Sequence, residues 1–425
     1  MAQKAIREAD GKGMMTRLLG EYAGRNYTVR NRSVSVGPET DLARLSGRYP
    51  WLLKERLVVK VDQLIKRRGK EGLILLDADW ESARRWIGER MNREMTVDDV
   101  TGVLDRFLVE PFVSHDAQDE HYVAILSEKE GDEILFHHDG GVDIGDVDAT
   151  AMRLPVPIGE MPTAGQIENK LLGKVPKGQK ALIAGFIEGL FKFYADLNYT
   201  YLEINPFIVK GNRIIPLDVA AKLDDTAAFV SGKKWGEIQF PTPFGRLLTK
   251  EEAYIEELDS KTGSSLKLTV LHPEGRIWTM TAGGGASVIY ADTITDLGFM
   301  DEMANYGEYS GDPNEEFTYL YARTILDLMT RKKDPRGKFF LIGGGIANFT
   351  DVASTFQGII RALREYCEKL KEGKVTIFVR RGGPNYKEGL ANVKAVGEEL
   401  SIPIHVYGPE THMTRIISMA LKGGR

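Results

Sequence analysis

Cysteine is nearly absent. Cys367 stands alone among 425 residues, so no intrachain disulfide forms and no cysteine cluster holds zinc. Its place on the apolar face of a predicted helix marks a buried structural thiol rather than a reactive one. Long apolar runs are missing too, and none approaches the length of a membrane span. The N-terminal stretch is charged at Lys4, Arg7 and Glu8 and lacks the apolar segment of a signal peptide. The expectation is a cytoplasmic protein with no membrane segment. Charge of one sign is also scarce: 56 basic against 61 acidic residues leave a net charge of −5. That balance argues against broad association with nucleic acid or acidic membranes. Any anionic ligand must be held by local geometry. Internal repeats and low-complexity segments are absent as well.

The length is enough for two or three domains, each with its own core. The segment from Gly232 to Thr249, with Pro241, Pro243 and Gly245, has no clear periodicity and reads as a connection. It separates domains at 1–240 and 245–425. Before it, strands and helices are mixed. Tyr122–Ser127 and Glu133–His137 alternate around Glu130-Gly131-Asp132 as an antiparallel pair. Leu182–Leu197 places Leu182, Phe186, Leu190 and Tyr194 on one helical stripe. After the connection, strands and helices alternate. One helix face carries Val352, Phe356, Ile359, Ile360, Leu363, Cys367 and Leu370, with Gly373 at the expected C-cap. Strand Val375–Val379, a helix through Val393–Leu400, strand Ile404–Val406 and a helix near Met413–Leu421 follow. Such alternation makes a doubly wound parallel sheet that binds ligands beyond the carboxyl ends of its strands.

Two motifs fall at those ends. Gly343-Gly-Gly-Ile-Ala-Asn-Phe-Thr350 follows the apolar run Phe339–Ile342 and precedes a helical pattern starting near Asp351. A glycine turn into a helix start leaves backbone N–H groups free at the positive end of the dipole, which suits a carboxylate or phosphate. Strand Val375–Val379 runs into Arg380-Arg381-Gly382-Gly383-Pro384-Asn385. Neighbouring strands would bring an anion cradle and a guanidinium pair to one sheet edge, for an anion with more than one negative group.

In the first half, Gly211-Asn212 is a two-residue hairpin turn. Lys210 then faces Arg213, and counting outward sets Asn205 opposite Asp218, with Glu203 on the face of Asn205. Hard oxygen ligands completed by phosphates suit Mg²⁺. The other reading is a solvent-facing polar stripe, but the flanking apolar residues and Pro206, which removes a ladder donor, favour a site. Lys60 ends the strand Leu57-Val58-Val59-Lys60, and Lys66-Arg67-Arg68-Gly69-Lys70 follows as a basic glycine loop, without P-loop spacing. Alone it reads equally as a solvated basic turn. Leu108–Val113 is a candidate interdomain strand offering backbone groups to an adenine ring. His137-His138-Asp139, with Asp143 and Asp146, resembles a metal cluster, yet a loop packed near phosphates or the domain junction is the preferred reading.

Taken together, these motifs resemble those of the ATP-citrate lyase family. The chain resembles its ATP-grasp and citrate-binding half, the A subunit where the enzyme is split into two chains. The likeness rests on Leu57-Val-Val-Lys60, Gln63-Leu-Ile-Lys-Arg-Arg-Gly-Lys70, Glu110-Pro-Phe-Val113, Phe136-His-His138, Tyr201-Leu-Glu-Ile-Asn-Pro206, Ala282-Gly-Gly-Gly-Ala-Ser287, Asn305-Tyr-Gly-Glu-Tyr-Ser-Gly311, Ile346-Ala-Asn-Phe-Thr350 and Phe378-Val-Arg-Arg-Gly-Gly-Pro-Asn-Tyr386. The β subunit of succinyl-CoA synthetase is a more distant relative.

The resemblance implies an α/β protein: an α+β ATP-grasp domain, then a flavodoxin-like or Rossmann-like citrate-binding domain. It implies ATP contacts at Lys60, Arg68, Gly69, Pro111, Val113, Glu120 and Asp218. Metal positions are implied at Asn205, Asp218, Asp259, Thr262 and Ser264. Citrate contacts are implied at Gly311, Asn348, Thr350, Tyr366 and Arg381, with backbone groups near Gly284 and Phe349. Arg381 would clamp one carboxylate, helix N-termini a second, and Asn348 with Thr350 the hydroxyl. Read from its own helix, Tyr366 is equally a core aromatic. The implied cofactor is Mg²⁺, with ATP and coenzyme A as co-substrates. In the family, ATP phosphorylates a histidine, the phosphoryl group passes to citrate, and coenzyme A attacks the resulting citryl phosphate. None of the seven histidines here lies in a loop resembling the phosphohistidine segment. No counterpart of the CoA-binding or citryl-CoA-cleaving modules is found, so a B subunit is the expected partner and the chain alone is expected not to cleave citrate. The alternatives are an ADP-forming succinate–CoA ligase β subunit and a citrate-sensing regulatory subunit.

Overall fold

Counting outward from Gly211-Asn212 fixes a strand register, and the structure has it. In the computed structural model, which describes residues 3–22, 28–29, 32–141 and 147–423, Lys210 faces Arg213 and Phe207 faces Pro216. One step further, Asn205 N donates to the Asp218 carbonyl at 3.1 Å. The chain divides into two compact units, Met1–Leu247 and Leu248–Arg425. The helix Ala228–Trp235 runs into the expected connection, so the irregular stretch starts at Gly236 and ends before the helix Lys250–Ser260.

The first unit is built on an eight-stranded sheet. Its main path is antiparallel and runs Gln3–Ile6, Val219–Asp224, Tyr199–Lys210, Glu120–Glu128, Gly131–His137 and Met152–Pro157. The helices Glu8–Tyr22 and Lys177–Asp196 seal it, with Met15, Leu19, Phe186, Leu190 and Phe193 packed on Leu202 and Ile204. A four-stranded sheet orders Val34–Val36, Phe107–Pro111, Leu57–Val61 and Ile74–Ala78. Its core is closed by Trp80, Ala83 and Ile87 of the helix Trp80–Arg90. The expected interdomain strand at Leu108–Val113 is therefore an internal strand of this smaller sheet, ending at Pro111.

In the second unit, period-two alternation decides which helices lie on which face. Trp278, Met280, Phe340, Ile342, Ile377 and Val379 pack with the helices Lys250–Ser260, Glu315–Thr330, Val352–Glu365 and Tyr386–Leu400. The intervening Ile277, Leu341 and Phe378 pack with Tyr290, Ile294, Ile416 and Ile417, from Gly284–Asp296 and Arg415–Lys422. The sheet runs Ser265–Val270, Asn305–Ser310, Ile277–Ala282, Lys338–Gly344, Val375–Arg380 and Ile404–Tyr407. All strands are parallel except Ser265–Val270 at one edge. Counted along the chain, the parallel strands lie in the order 2-1-3-4-5, the flavodoxin-like arrangement. The fold is thus the expected α/β class.

Two details differ from expectation. The long helix breaks at Tyr366 into Val352–Glu365 and Cys367–Glu372, though Gly373 is the C-cap as expected, right-handed and followed by the left-handed Lys374 (φ 50°). Cys367 is half-buried, its Sγ 3.7 Å from the Leu400 carbonyl.

The helices Glu315–Thr330 and Val352–Glu365 touch backbone to backbone at Gly358. A Cβ there would lie 2.7 Å from Tyr319 N and 3.0 Å from Thr318 Cβ. Gly358→Ala should therefore destabilise the second unit by about 1–3 kcal/mol, read as an earlier urea transition of that unit. An unchanged midpoint would show that the helices can part at no cost.

Candidate functional site

Lys60, on the Leu57–Val61 strand, and Arg68, in the turn after it, converge on a carboxylate that the sequence had not singled out. Glu8, first residue of the helix Glu8–Tyr22, is 4% exposed. Its Oε1 lies 2.6 Å from Lys60 Nζ and 2.7 Å from Lys12 Nζ, and its Oε2 lies 2.6 Å from Arg68 Nη2. Glu110 meets Lys12 at 2.7 Å and Lys60 at 3.4 Å. Arg68 Nη2 also meets Asp218 Oδ1 at 2.5 Å, and Lys12 and Lys60 both donate to the Leu217 carbonyl. Burial alone would raise the Glu8 pKa, but Lys12, Lys60 and Arg68 hold it well below the usual carboxylate range. Burial opposes the charge on Lys60, yet Glu8, Glu110 and Asp218 raise its pKa above the ordinary value.

Three cations thus face Glu8, Glu110 and Asp218. A fourth acid, Asp62, accepts the Glu8 and Ala9 N–H groups at 2.9 and 3.3 Å and so caps the helix start. With the cations already matched, burial and then the charge on Glu8 push Asp62 up to about 7.

The residues expected at a metal and at adenosine adjoin this cluster. Asn205 Oδ1 accepts Gly141 N at 2.8 Å. Gly141, at φ 99°, packs against the Glu120 carboxylate. His115 ties Glu120 Oε1 (2.8 Å) to the Val113 carbonyl (2.6 Å). Pro111 ends the strand that carries Glu110. Gly69 lies in the exposed turn closed by Gly72 N on its carbonyl. Glu203, expected beside Asn205, accepts the Tyr201 hydroxyl. The amide oxygen of Asn205 and the carboxylate of Asp218, held at facing positions, are hard oxygen donors that fit Mg²⁺.

His137, His138 and Asp139 do cluster with ligand atoms within 4.8 Å of one another. His137 Nδ1 is 2.8 Å from the Asp139 carbonyl, and His138 Nε2 is 3.2 Å from Asp139 Oδ2, so the group bonds within itself. Asp143 and Asp146 lie outside the described residues.

Asp259, Thr262 and Ser264 form the turn after Lys250–Ser260. Asp259 Oδ1 accepts Leu266 N at 2.7 Å and its Oδ2 pairs with Lys267 at 2.5 Å. Thr262 Oγ1 accepts Ser264 N, and Ser264 Oγ donates to the Gly311 carbonyl at 3.1 Å. Both Asp259 carboxylate oxygens are thus engaged within the unit, and Ser264 ties the turn to Gly311.

A cavity of about 260 Å³ opens at the carboxyl ends of the second unit's strands, between Ala282-Gly283 and Gly345-Ile346. Those residues follow parallel strands 1 and 3, where the strand order reverses and where such sheets bind ligands. Gly311, Thr350 and Arg381 line it. Asn348 and Phe349 stand on the same loop but are exposed, Phe349 at 68%. Tyr366 is not brought there. It follows the 14-residue helix Val352–Glu365, about 20 Å of axis from Thr350, and packs in the core with its hydroxyl 3.4 Å from Asp327 Oδ1.

Part of the expected anion cradle is engaged within the chain, with Ala347 N donating to Gly382 O, Val352 N to Pro384 O and Ser354 N to Asp351 Oδ1, while Gly345, Ile346, Ala347 and Thr350 of the same loop line the cavity. The helix Gly284–Asp296 instead begins at Gly283 (φ 103°) with no side-chain cap. Gly283 and Ala286 line the cavity, with Gly284 between them. The arginine pair divides its work. Arg380 is 5% exposed and donates to the carbonyls of Gly344, Pro409 and Thr411, tying two loops together. Arg381 gives Nη1 to the Gly345 carbonyl at 3.0 Å and faces the cavity. A larger cavity of about 320 Å³, lined by Arg276 and Arg336, lies elsewhere in the unit. Its arginines already pair with Glu302 and Asp334.

Glu8, Lys12, Asp62 and Glu110 escaped sequence reasoning. The only local signal was the four-residue spacing of Glu8 and Lys12 on one helix face.

Two family descriptions divide the chain: the ATP-citrate synthase ATP-grasp domain matches residues 2–235, and the ATP citrate lyase citrate-binding domain matches residues 246–423. The protein therefore couples an ATP-grasp module to a citrate-binding one. The chain belongs to the ATP-citrate synthase (ATP citrate lyase) family. It is 55% identical over 423 residues to the ATP-citrate synthase of Homo sapiens, covering 99% of this chain and 38% of that protein. The Arabidopsis thaliana ATP-citrate synthase alpha chain protein 2 is 46% identical, with 99% of each chain covered. The chain thus spans well under half of the animal relatives and nearly all of the plant one. The structure of ATP citrate lyase from Methanothrix soehngenii in complex with citrate and coenzyme A superposes with a TM-score of 0.90 at 53% identity, covering 99% of this chain and 100% of that one.

The raised Asp62 pKa has a definite sign. The folded state holds this proton more tightly than the unfolded chain, where the ordinary value is 3.8. Its contribution to stability falls as pH climbs from about 4 to about 7, by up to about 1.4 kcal/mol per pH unit, and levels off above. Asp62→Asn should flatten that slope in urea titrations between about pH 4 and 7. An identical slope in the variant would mean that Asp62 titrates normally.

Proposed function

We propose that this chain is the nucleotide- and citrate-binding subunit of an ATP-citrate lyase, which turns citrate, ATP and coenzyme A into acetyl-CoA, oxaloacetate, ADP and phosphate. The observation that carries this reading is the cavity at the strand-order reversal, where Arg381 and an uncapped helix N-terminus face a space suited to a small polycarboxylate. An anion there meets a guanidinium and helix-end N–H groups without any net positive field.

On the nucleotide side, Lys60 and Arg68 take the phosphates, while Val113, Glu120 and Pro111 border the adenosine. Asn205 and Asp218 would hold Mg²⁺, which when bound neutralises phosphate charge. Lys60 and Arg68 then serve catalysis by position and charge. A phosphohistidine, the coenzyme A pocket and the citryl-CoA-cleaving module belong to a partner subunit. Support comes from relatives named as an alpha chain and as subunit 2, of nearly this length, beside longer animal proteins. No helix among the described residues is long and apolar enough to cross a membrane, and a lone thiol without a disulfide suits a reducing cytoplasm.

Arg381→Ala should weaken citrate binding by about 2–3 kcal/mol, the scale of a lost charge-assisted contact, with Mg-ATP affinity unchanged. Calorimetry with each ligand separately measures both, and an unaltered citrate isotherm would remove Arg381 from the site. The purified chain should form no acetyl-CoA from citrate, ATP and coenzyme A until a B subunit is added. Turnover by the chain alone would overturn the division of labour.

A further inference from the structure

Buried polar atoms without a partner among the described residues gather at one rim of the second unit. Thr281 Oγ1, Glu308 Oε2, Tyr309 Oη and Arg381 Nε are all such atoms. They sit at or just past the carboxyl ends of the strands Ile277–Ala282, Asn305–Ser310 and Val375–Arg380. Of the four residues, Tyr309 and Arg381 line the cavity.

Tyr309 is 1% exposed, and its ring has little freedom. Its backbone is paired with Leu266 on one side and Ala282 on the other. The ring packs 6.2 Å from that of Tyr321, whose own hydroxyl is committed to the Lys267 carbonyl at 2.7 Å. The Tyr309 hydroxyl has no hydrogen-bond partner among the described residues. Leaving such a group buried and unbonded costs desolvation with no return, a cost that persists in binding sites where a ligand supplies the missing bond. Burial raises the pKa of the phenol although the Arg381 charge opposes it, so the hydroxyl keeps its proton and remains a donor.

Arg381 is oriented in the same sense. Its Nη1 is spent on the Gly345 carbonyl, which fixes the guanidinium plane and leaves the Nε–H edge unpaired. Two unpaired, buried donors, one on the strand Asn305–Ser310 and one just past the strand Val375–Arg380, thus belong to residues that line one cavity. A carboxylate has two oxygens and lone pairs enough for both.

We infer that Tyr309 is a substrate-contacting, specificity-determining residue whose hydroxyl, together with the Arg381 Nε–H, holds one carboxylate of the tricarboxylic acid. This rests on the reading of the cavity as the citrate site and names a contact within it. The substrate's hydroxyl plays no part in this contact, so the pair selects for a carboxylate at that position.

The test is Tyr309→Phe in the full chain, which removes one oxygen and keeps the ring. Calorimetry with citrate, with propane-1,2,3-tricarboxylate (the same skeleton without the hydroxyl) and with Mg-ATP gives the binding readout. Thermal melting without ligand gives the structural one. The expected result is a citrate dissociation constant about tenfold weaker, the scale of one lost hydrogen bond to a charged group. The same factor is expected for propane-1,2,3-tricarboxylate, with Mg-ATP affinity unchanged and a ligand-free melting temperature equal to or above wild type. Equal citrate affinity in the variant overturns the contact. A loss confined to citrate assigns the hydroxyl of Tyr309 to the substrate's hydroxyl and overturns the carboxylate assignment. A marked fall in the ligand-free melting temperature shows that the phenol was bonded within the protein, which also overturns it. Failure of the wild-type chain to bind citrate at all defeats the parent reading, and this one with it.

Discussion

One carboxylate shared by three cations organises the nucleotide half of this protein. Glu8 touches Lys12, Lys60 and Arg68 at hydrogen-bond distance while almost wholly buried. No member can leave without stranding the others, because an unpaired buried charge is far costlier than the pair is favourable. That constraint fixes the start of the first helix against both sheets. It also means that the cations assigned to phosphate already have an anion, so an incoming nucleotide competes with Glu8 or shares its partners.

The second unit solves the opposite problem. Its cavity at the strand-order reversal carries few charges, and under the proposed reading the donors left unspent there serve an anion. The two adjacent arginines differ in this respect. Arg380 spends its guanidinium on three carbonyls and becomes part of the frame, while Arg381 gives up one N–H and leaves its Nε–H unpaired. The helix Gly284–Asp296 has Gly283 at its N-cap with no side-chain cap, which leaves the positive end of its dipole toward the cavity lined by Gly283 and Ala286.

Much of this was legible from residue order, since periodicity and turn chemistry are local. The Gly211-Asn212 turn sufficed to set Asn205 beside Asp218, and strand–helix alternation sufficed for the doubly wound sheet. What escaped depends on contacts between distant segments. Glu8 precedes Lys60 by 52 residues and Glu110 by 102, and nothing near it in the chain foretells its burial. Arg380 and Arg381 are chemically identical in sequence and differ only in which carbonyls surround them. Asp259 was placed at a metal by resemblance, and its contacts with Lys267 and Leu266 N could not be read from the sequence. Tyr366 was drawn toward the ligand by analogy, although the length of its helix carries it to the far end.

The reversed edge strand gives the second unit an unusual wiring. Because Ser265–Val270 runs against its neighbours, its first residue lies beside Ser310, at the ligand rim rather than at the opposite border. The polypeptide entering this unit therefore arrives at the rim after a single helix, and Ser264 grips Gly311 there. One helix and one turn thus join that incoming segment to Gly311 in the cavity wall, so the entrance of the chain and the cavity share a border.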